Sequence, residues 1–399
     1  MNLIKSGNVL VINCGSSSIK FSVVDHETSS HAIRGSVERI GQDNAQLKYT
    51  AAHGTNSQLL GAADHERALR SIGAILNETA GIQKELLAVG HRVVHGGETF
   101  SASSQIDEQV LSAIENCSHL APLHNPANVM GIRTAQRLFP KLPQVAVFDT
   151  AFHQTLPQQA YLYAIPYNLY KEHGIRRYGF HGTSHRFVTE RAAALLGKPL
   201  GECAFVSVHL GNGCSACAVL GGKSVDTTMG LTPLEGLVMG TRSGDLDPGL
   251  HGHLQEQLGW TLDQITDVLN SKSGLFGLSG LSNDMRQLVE AATTGNERAG
   301  LAIEVFCYRL AKAIAALFVS LGRVGTLIFT GGIGENAPSI RATVIQQLGF
   351  LGFELDPQRN AIHGARSNGC ITRDGDRIAM VVPTDEELMI ARETVAVLS

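Results

Sequence analysis

The sequence predicts an α/β protein built twice, on three observations. Apolar runs of strand length alternate with helical periodicity, a hairpin with a glycine and serine tip opens the chain, and a second glycine-tipped hairpin opens its second half. The 399 residues, 43% of them hydrophobic, exceed what one core organises and suffice for two domains.

Residues 8 to 13 form a continuous apolar run, Gly15-Ser16-Ser17-Ser18 breaks it, and residues 19 to 25 resume as a strand ending in Asp25. Amphipathic periodicity predicts helices over 64–79, 107–119 and 126–138, and a buried strand over 145–149 ends in Asp149. The region 203–226 repeats the opening, with a strand from Ala204 to His209, the turn Gly211-Asn212-Gly213, a returning strand and a third ending in Asp226. Strand 326–330 then meets Gly331-Gly332-Ile333-Gly334-Glu335-Asn336 and a helix. Strand 377–382 meets Pro383-Thr384-Asp385-Glu386-Glu387 and a final helix to 397. The expected domains are 1–150 with about 386–399, and 151–385, with a cleft between the copies and the hairpin tips facing one ligand.

Composition excludes several function classes. A net charge of −4, with charged residues at 17% and both signs scattered, offers no basic stripe for nucleic acid and no cluster for a membrane surface. The greasiest stretch, 299–321, carries Arg309 and Lys312, so it falls short of the roughly 18 uninterrupted apolar residues a spanning helix needs. The amino terminus runs into a strand pattern with no small-residue cleavage site, and the expected location is the cytoplasm. Seven cysteines at irregular spacing read as reduced thiols. Cys214 and Cys217 form a C-x-x-C, but residues three apart on an extended strand point to opposite faces, which favours strand packing over a redox or zinc site.

The turns carry the chemistry. Tight turns of glycine and small polar residues expose backbone N–H groups and let a phosphate approach, and a helix starting just beyond adds its positive dipole end. Three such turns, two at corresponding points of a repeat, point to a polyphosphate such as ATP. Gly222-Lys223-Ser224 resembles the end of a Walker A loop, but the required first glycine falls at Cys217. Gly332, Gly334 and Ala337 fit a dinucleotide fingerprint, yet too little chain follows to complete the domain that fingerprint opens.

These residues resemble a known family. The run Val-Leu-Val-Ile-Asn13-Cys-Gly15-Ser16-Ser17-Ser18-Ile-Lys20-Phe resembles the first signature of the acetokinase family, the acetate, propionate and butyrate kinases of the sugar kinase, Hsc70 and actin superfamily. Further matches are Gly90 to Gly97, Ala121 to Asn125, Val147 to His153, Arg177 to His185, His209 to Gly213, Leu231 to Gly236, Gly240 to Asp245, Phe329 to Asn336 and Pro383 to Glu387. The resemblance implies two actin-like (ribonuclease H-like) α/β domains around a nucleotide cleft and a homodimer. It implies reversible Mg²⁺-dependent transfer of the ATP γ-phosphoryl group to acetate, giving acetyl phosphate and ADP, with Mn²⁺ able to substitute. Cys214 and Cys217 stand where relatives usually have other small residues, and Asp385 where many have Asn.

The resemblance also implies roles. Transfer to an already ionised carboxylate needs placement and neutralised charge more than a general base, and Arg92 and Arg242 are the matching arginines. His181 matches the histidine that contacts the transferring phosphate, and Asp149 the catalytic acid, here expected to orient metal-bound water or an arginine. Asn13 and Glu386 match the Mg²⁺ site. Lys20, Ser16 and Ser18 are expected near the phosphates. His209, Leu210, Gly211, Asn212 and Gly213, then Asp284, Met285 and Arg286, then Gly331, Gly332, Ile333, Gly334, Glu335 and Asn336, match the nucleotide-binding segments, with Asp284 placed to accept from the ribose. Val94, Leu123, Phe180 and Pro233 resemble the acyl pocket, with Arg92 and His124 beside the substrate. A β-branched valine at 94 favours acetate, because propionate-preferring relatives tend to carry alanine there.

Three other readings compete. One is a propionate kinase with acetate as secondary substrate. Another is a metallohydrolase, since among sixteen histidines His91 and His95, and His181 and His185, are four apart; but the first pair sits in a strand pattern and Gly182, not glutamate, follows His181. The last is a non-catalytic nucleotide module, which would bind ATP without a small acceptor.

Overall fold

Strand formation follows the apolar runs, and the turns follow the glycines. The computed structural model describes residues 7–79, 82–122 and 124–399. The chain divides into two compact units, Met1–Phe152 with Asp385–Ser399, and His153–Thr384.

The first unit holds β1 (Asn8–Cys14), β2 (Ser18–Asp25), β3 (Ser30–Glu38), β4 (Ala45–Ala51), β5 (Gly54–Gly61), β6 (Leu86–Val93), β7 (Ser104–Gln105) and β8 (Gln144–Phe148). They form one sheet in the order β5-β4-β3-β2-β1-β6-β8-β7. β1 pairs with β2 antiparallel and with β6 parallel, and β6 with β8 parallel. β1 and β8 are largely apolar, as buried parallel strands are, whereas β6 is apolar only over Leu86–Val89 before Gly90, His91 and Arg92. The helix Glu386–Leu398 packs on β1, β6 and β8, and Gly90 of β6 is small because a Cβ there would meet Thr394 Oγ1 at 2.4 Å.

The second unit holds β9 (Ala204–Leu210), β10 (Cys214–Leu220), β11 (Lys223–Thr227), β12 (Thr326–Thr330) and β13 (Ala379–Val381), ordered β11-β10-β9-β12-β13. β9 and β10 are antiparallel, and β9, β12 and β13 are parallel. This repeats β3-β2-β1-β6-β8 strand for strand, and the repeated α/β unit seen in the two hairpins of the sequence is present in both halves.

The expected helices form at His65–Glu78, Glu108–Asn116 and Asn125–Leu138, the first two capped by Asp64 and Asp107, whose carboxylates accept from Arg67 N and Val110 N. β3 to β5 form an antiparallel meander with no counterpart in the periodicity reading. Gly54 to Leu59 of β5 are exposed, so no apolar alternation marks that strand. Cys214 and Cys217 lie on β10 with no exposure, and burial pushes both thiols up to about 12, which makes them packing groups without thiolate reactivity.

Candidate active site

In the first unit the candidate residues gather at the carboxyl ends of the parallel strands. Arg92 is the penultimate residue of β6, and Asp149 follows β8 directly, its N–H donating to Val93 O at 3.0 Å. That backbone bond places the two side chains together. Arg92 Nε donates to Asp149 Oδ1 at 3.0 Å and Nη2 to Oδ2 at 2.6 Å, a two-pronged pair whose carboxylate is 1% exposed. Burial opposes the Arg92 charge, but the Asp149 and Glu386 carboxylates raise its pKa above the ordinary value. At Asp149, burial and the Glu386 charge push the carboxyl up while the guanidinium fork favours the ionised form; with both oxygens accepting, the pair is charged at neutral pH.

Glu386 begins the helix packed on β1 and β6, and its Oε1 is buried with no hydrogen-bond partner. Asn13 lies half-buried near the end of β1, paired in register with exposed Lys20. An orphaned carboxylate oxygen and an amide oxygen suit a hard cation that keeps several waters, so these residues fit Mg²⁺. The hairpin tip is held by Gly15 N–H donating to Ser18 O at 2.8 Å and by Asn128 Nδ2 donating to Cys14 O at 2.7 Å, leaving Ser16 exposed. Asn128 also accepts from Val94 N–H at 3.1 Å, so one buried amide ties β1 to the end of β6. Val94 is 8% exposed, and His124 is half-buried at the start of the helix Asn125–Leu138. Leu123 lies outside the described residues.

Asp385, expected from the resemblance to depart from Asn, uses both of its carboxylate oxygens. Its Oδ1 accepts from Leu388 N–H, capping the helix that carries Glu386, and its Oδ2 lies 2.9 Å from His31 Nε2 and 3.5 Å from Arg34 Nη2. Despite burial, these partners hold the Asp385 carboxyl below the usual carboxylate range.

In the second unit, His181 and Arg242 converge beside Gly213. A β-carbon on Gly213 would stand 3.5 Å from Arg242 Nη1 and 3.5 Å from His181 Nε2. His181 sits at φ 56, the left-handed region that costs a side-chain-bearing residue, just before the helix Gly182–Leu195. Its ring stacks on His209 with centroids 4.3 Å apart, and its Nδ1 lies 2.9 Å from Ser215 Oγ. His209 Nδ1 meets Ser184 Oγ at 2.8 Å. Arg242 is held on a loop closed by Gly236 N–H donating to Asp245 Oδ1 at 2.7 Å and tied back by Gly240 N–H donating to Asn212 O at 2.9 Å. Its guanidinium donates weakly to Pro233 O at 3.4 Å and has no carboxylate partner among the described residues; burial lowers its pKa.

A separate cavity of about 770 Å³ brings the three expected nucleotide segments together. Gly211 and Asn212, then Asp284, Met285 and Arg286, then Gly332, Ile333 and Asn336 line it. Asn283, Val289, Pro338 and Ser339 line it too, and nothing in the sequence pattern marked them beyond their adjacency to the named segments. Asp284 caps the helix Met285–Thr293, and both its oxygens accept from Arg286, which lowers its pKa. His209, Leu210, Gly213, Gly331, Gly334 and Glu335 do not line the cavity. Gly331 has φ 75, and a Cβ there would meet Leu210 O at 2.8 Å, so the turn requires glycine. Glu335 accepts from Gly331 N–H at 3.0 Å and Thr384 N–H at 3.1 Å, and it clamps the turn. Phe180 is a core residue, 2% exposed, whose carbonyl lies 2.9 Å from His153 Nε2.

The histidine pairs do not form metal sites. His91 Nε2 bonds Gln144 Oε1 at 2.6 Å, and His185 bonds Ser207 and Ser215. Burial pushes His91 and His153 down to about 4 and His185 well below its ordinary value. Unfolding would let these neutral rings take up protons near their ordinary pKa of about 6.5, so stability is full above that value and lost as pH falls through it toward the folded values. The urea midpoint should therefore hold steady above about pH 7 and fall steeply from about pH 6.5, each ring adding up to about 1.4 kcal/mol per pH unit. A midpoint unchanged down to about pH 5 would show the rings to be charged in the folded state.

Known proteins resemble this chain over nearly its whole length. An acetate kinase from Ectopseudomonas mendocina (strain ymp) is 55% identical over 391 residues, covering 98% of this chain and 99% of that protein. The crystal structure of Porphyromonas gingivalis acetate kinase superposes with a TM-score of 0.91 at 41% identity, covering 98% of this chain and 100% of the other. A propionate kinase from Francisella tularensis subsp. tularensis SCHU S4 gives 0.93 at 46%, covering 97% and 98%. The profile of the acetokinase family matches residues 8–392, and the chain belongs to that family.

Proposed function

We propose that this protein is an acetate kinase, transferring the γ-phosphoryl group of ATP to acetate and, in reverse, from acetyl phosphate to ADP. The observation that carries the reading is Arg242, a desolvated guanidinium with no carboxylate partner among the described residues, converging with His181 on the space beside Gly213. Such a charge awaits an anion. The second unit takes the nucleotide in its 770 Å³ cavity, with the glycine turns at 211 and 332 supplying backbone N–H groups for phosphate. Asp284 accepts from the ribose if it shares its carboxylate with Arg286. Ser16, Ser18 and Lys20 of the first hairpin serve the phosphates.

Acetate arrives ionised, so the protein's task is to orient two anions in line and offset the charge that builds on the transferring group. Arg242 and Arg92 supply positive charge, His181 donates to a phosphoryl oxygen, and Asp149 fixes the Arg92 fork. Asn13 and Glu386 would hold Mg²⁺, which offsets phosphate charge when bound. Replacing Glu386 by alanine should raise the Mg²⁺ needed for half-maximal rate by at least the roughly 10–100-fold that even outer-shell losses cost a metal site. A wild-type Mg²⁺ midpoint in that variant would remove Glu386 from the site.

Acetate is favoured over propionate because Val94 is β-branched and packed at the end of β6, with Pro233 and Phe180 as further pocket residues. The relatives named acetate kinase at 52–55% identity support the same choice. A homodimer is supported by exposed Leu301, Tyr308 and Val319, spaced to share one face of the helix Glu297–Ser320. A cytoplasmic setting is supported by seven free cysteines and by the lack, among the described residues, of a helix long and apolar enough to cross a membrane. Turnover of Mg²⁺-ATP with acetate, propionate and butyrate, with the acyl phosphate trapped by hydroxylamine, tests the proposal. Acetate-dependent ADP release should exceed that with propionate by roughly tenfold or more, the worth of one methylene in an apolar pocket. Release independent of any carboxylate would leave a nucleotide module, and a preference for propionate would make the alternative correct.

A further inference from the structure

We infer that Ser215, backed by the buried pair His185 and Ser207, fixes His181 in the tautomer that carries its proton on Nε2. Four side chains form a line. His181 Nδ1 lies 2.9 Å from Ser215 Oγ, Ser215 Oγ 2.8 Å from His185 Nε2, and His185 Nδ1 2.7 Å from Ser207 Oγ. Ser207, Ser215 and His185 all have 0% exposure, so protein groups must satisfy them.

The direction of the line follows from counting protons. Ser215 has a single hydroxyl proton and sits between two ring nitrogens, so it accepts from one and donates to the other. His185 is neutral, driven well below its ordinary pKa by burial, so one nitrogen donates and the other accepts. Only two senses satisfy both residues. In the first, Ser207 donates to His185 Nδ1, His185 Nε2–H donates to Ser215, and Ser215 donates to His181 Nδ1; every proton in the line has an acceptor. In the second, all are reversed, and the Ser207 proton has none, because among the described residues its hydroxyl bonds only His185. A buried hydroxyl left unpaired is costly, so the first sense prevails.

That sense puts the His181 proton on Nε2, the atom that converges with Arg242 Nη1 beside Gly213. The backbone keeps the ring aimed there. His153 Nε2 meets Phe180 O at 2.9 Å on the residue before it, and His185 N–H donates to His181 O at 2.9 Å, pinning the left-handed residue on both sides. Ser215, His185 and Ser207 are thus positioning residues that act through His181. The consequence for catalysis rests on the acetate kinase reading: an Nε2–H donor meets the phosphoryl oxygen, where the other tautomer would present a lone pair to an anion.

The test separates the two claims. Ring ¹⁵N shifts in histidine-labelled protein without ligands, with His181 assigned by its loss in His181→Gln, report the tautomer directly. Wild type should show a protonated Nε2 and an unprotonated Nδ1. Ser215→Ala should show a tautomer mixture at His181, and so should Ser207→Ala, which leaves Ser215 in place and removes only the bias; Ser215→Thr, which keeps the hydroxyl, should restore the wild-type signature. In turnover, Ser215→Ala should lower kcat about tenfold, the size of one lost hydrogen bond, with KM for ATP and acetate within about twofold. A wild-type proton on Nδ1, or an Nε2 proton retained in both alanine variants, would overturn the inference whatever the enzyme catalyses. A correct tautomer in a protein with no acetate-dependent turnover would instead refute the functional reading.

Discussion

Replacing Arg92 by alanine should cost this protein both turnover and stability. The variant leaves Asp149, 1% exposed, without the guanidinium that takes both its oxygens. Removing one partner of a buried pair costs about 3–5 kcal/mol, because the remaining charge has neither water nor counter-ion. Burial and the Glu386 charge both raise the Asp149 pKa, and without Arg92 nothing of comparable strength opposes them. A carboxyl whose folded pKa stands above its unfolded value contributes stability below the unfolded value and loses it as pH rises through the folded one. The Arg92→Ala variant should therefore be more stable relative to wild type at about pH 5 than at about pH 8, the opposite trend to that set by the buried histidines. Adding Asp149→Asn removes the stranded charge, and the double variant should regain most of the lost unfolding midpoint. It should not regain turnover, which falls by about a hundredfold or more if Arg92 offsets charge on the transferring group. Recovery of activity along with stability would make Arg92 a structural residue only.

The contrast between the arginines was only half legible in the sequence. Both lie among glycines and small residues within family motifs, so position nominated both. What separates them is partners, and partners come from topology. Arg92 meets Asp149 across 57 residues because β6 and β8 are parallel neighbours, and Arg242 meets no acid because its loop folds over Asn212. Strands and turns could be read locally, since a parallel strand covered on both faces is an apolar run and a phosphate turn needs glycine. The β3 to β5 meander could not, because β5 is an exposed edge with polar residues on both faces. Glu335 shows a further limit. It lies inside a motif that lines the cavity with Gly332, Ile333 and Asn336, yet its carboxylate turns back to clamp Gly331 and Thr384. The serine line behind His181 was invisible for a similar reason: Ser207 and Ser215 look like ordinary small residues on buried strands until the register of β9 and β10 sets them beside His185.

Replacing Arg242 by alanine should show the opposite stability signature. The side chain is partly buried, its charge opposed by desolvation, with Pro233 O at 3.4 Å and Met239 Sδ at 3.9 Å as its acceptors and no carboxylate among the described residues. A desolvated charge without a counter-ion is a cost to the folded state, so removing it should leave the unfolding midpoint unchanged or slightly higher. The same absence is what makes the group useful. An internal carboxylate would have to be displaced before substrate could bind, whereas an unpaired guanidinium fixed beside Gly213 by the Gly236 to Asp245 loop is already arranged for an incoming phosphoryl group. Turnover should fall by on the order of a hundredfold or more, with a smaller change in nucleotide affinity because the 770 Å³ cavity is lined by other residues. Arg242→Lys keeps the charge but not the fork, and should recover only part of the rate. Near-normal kcat in Arg242→Ala, or a loss of stability as large as that of Arg92→Ala, would show that this arginine holds the loop and does not meet the substrate.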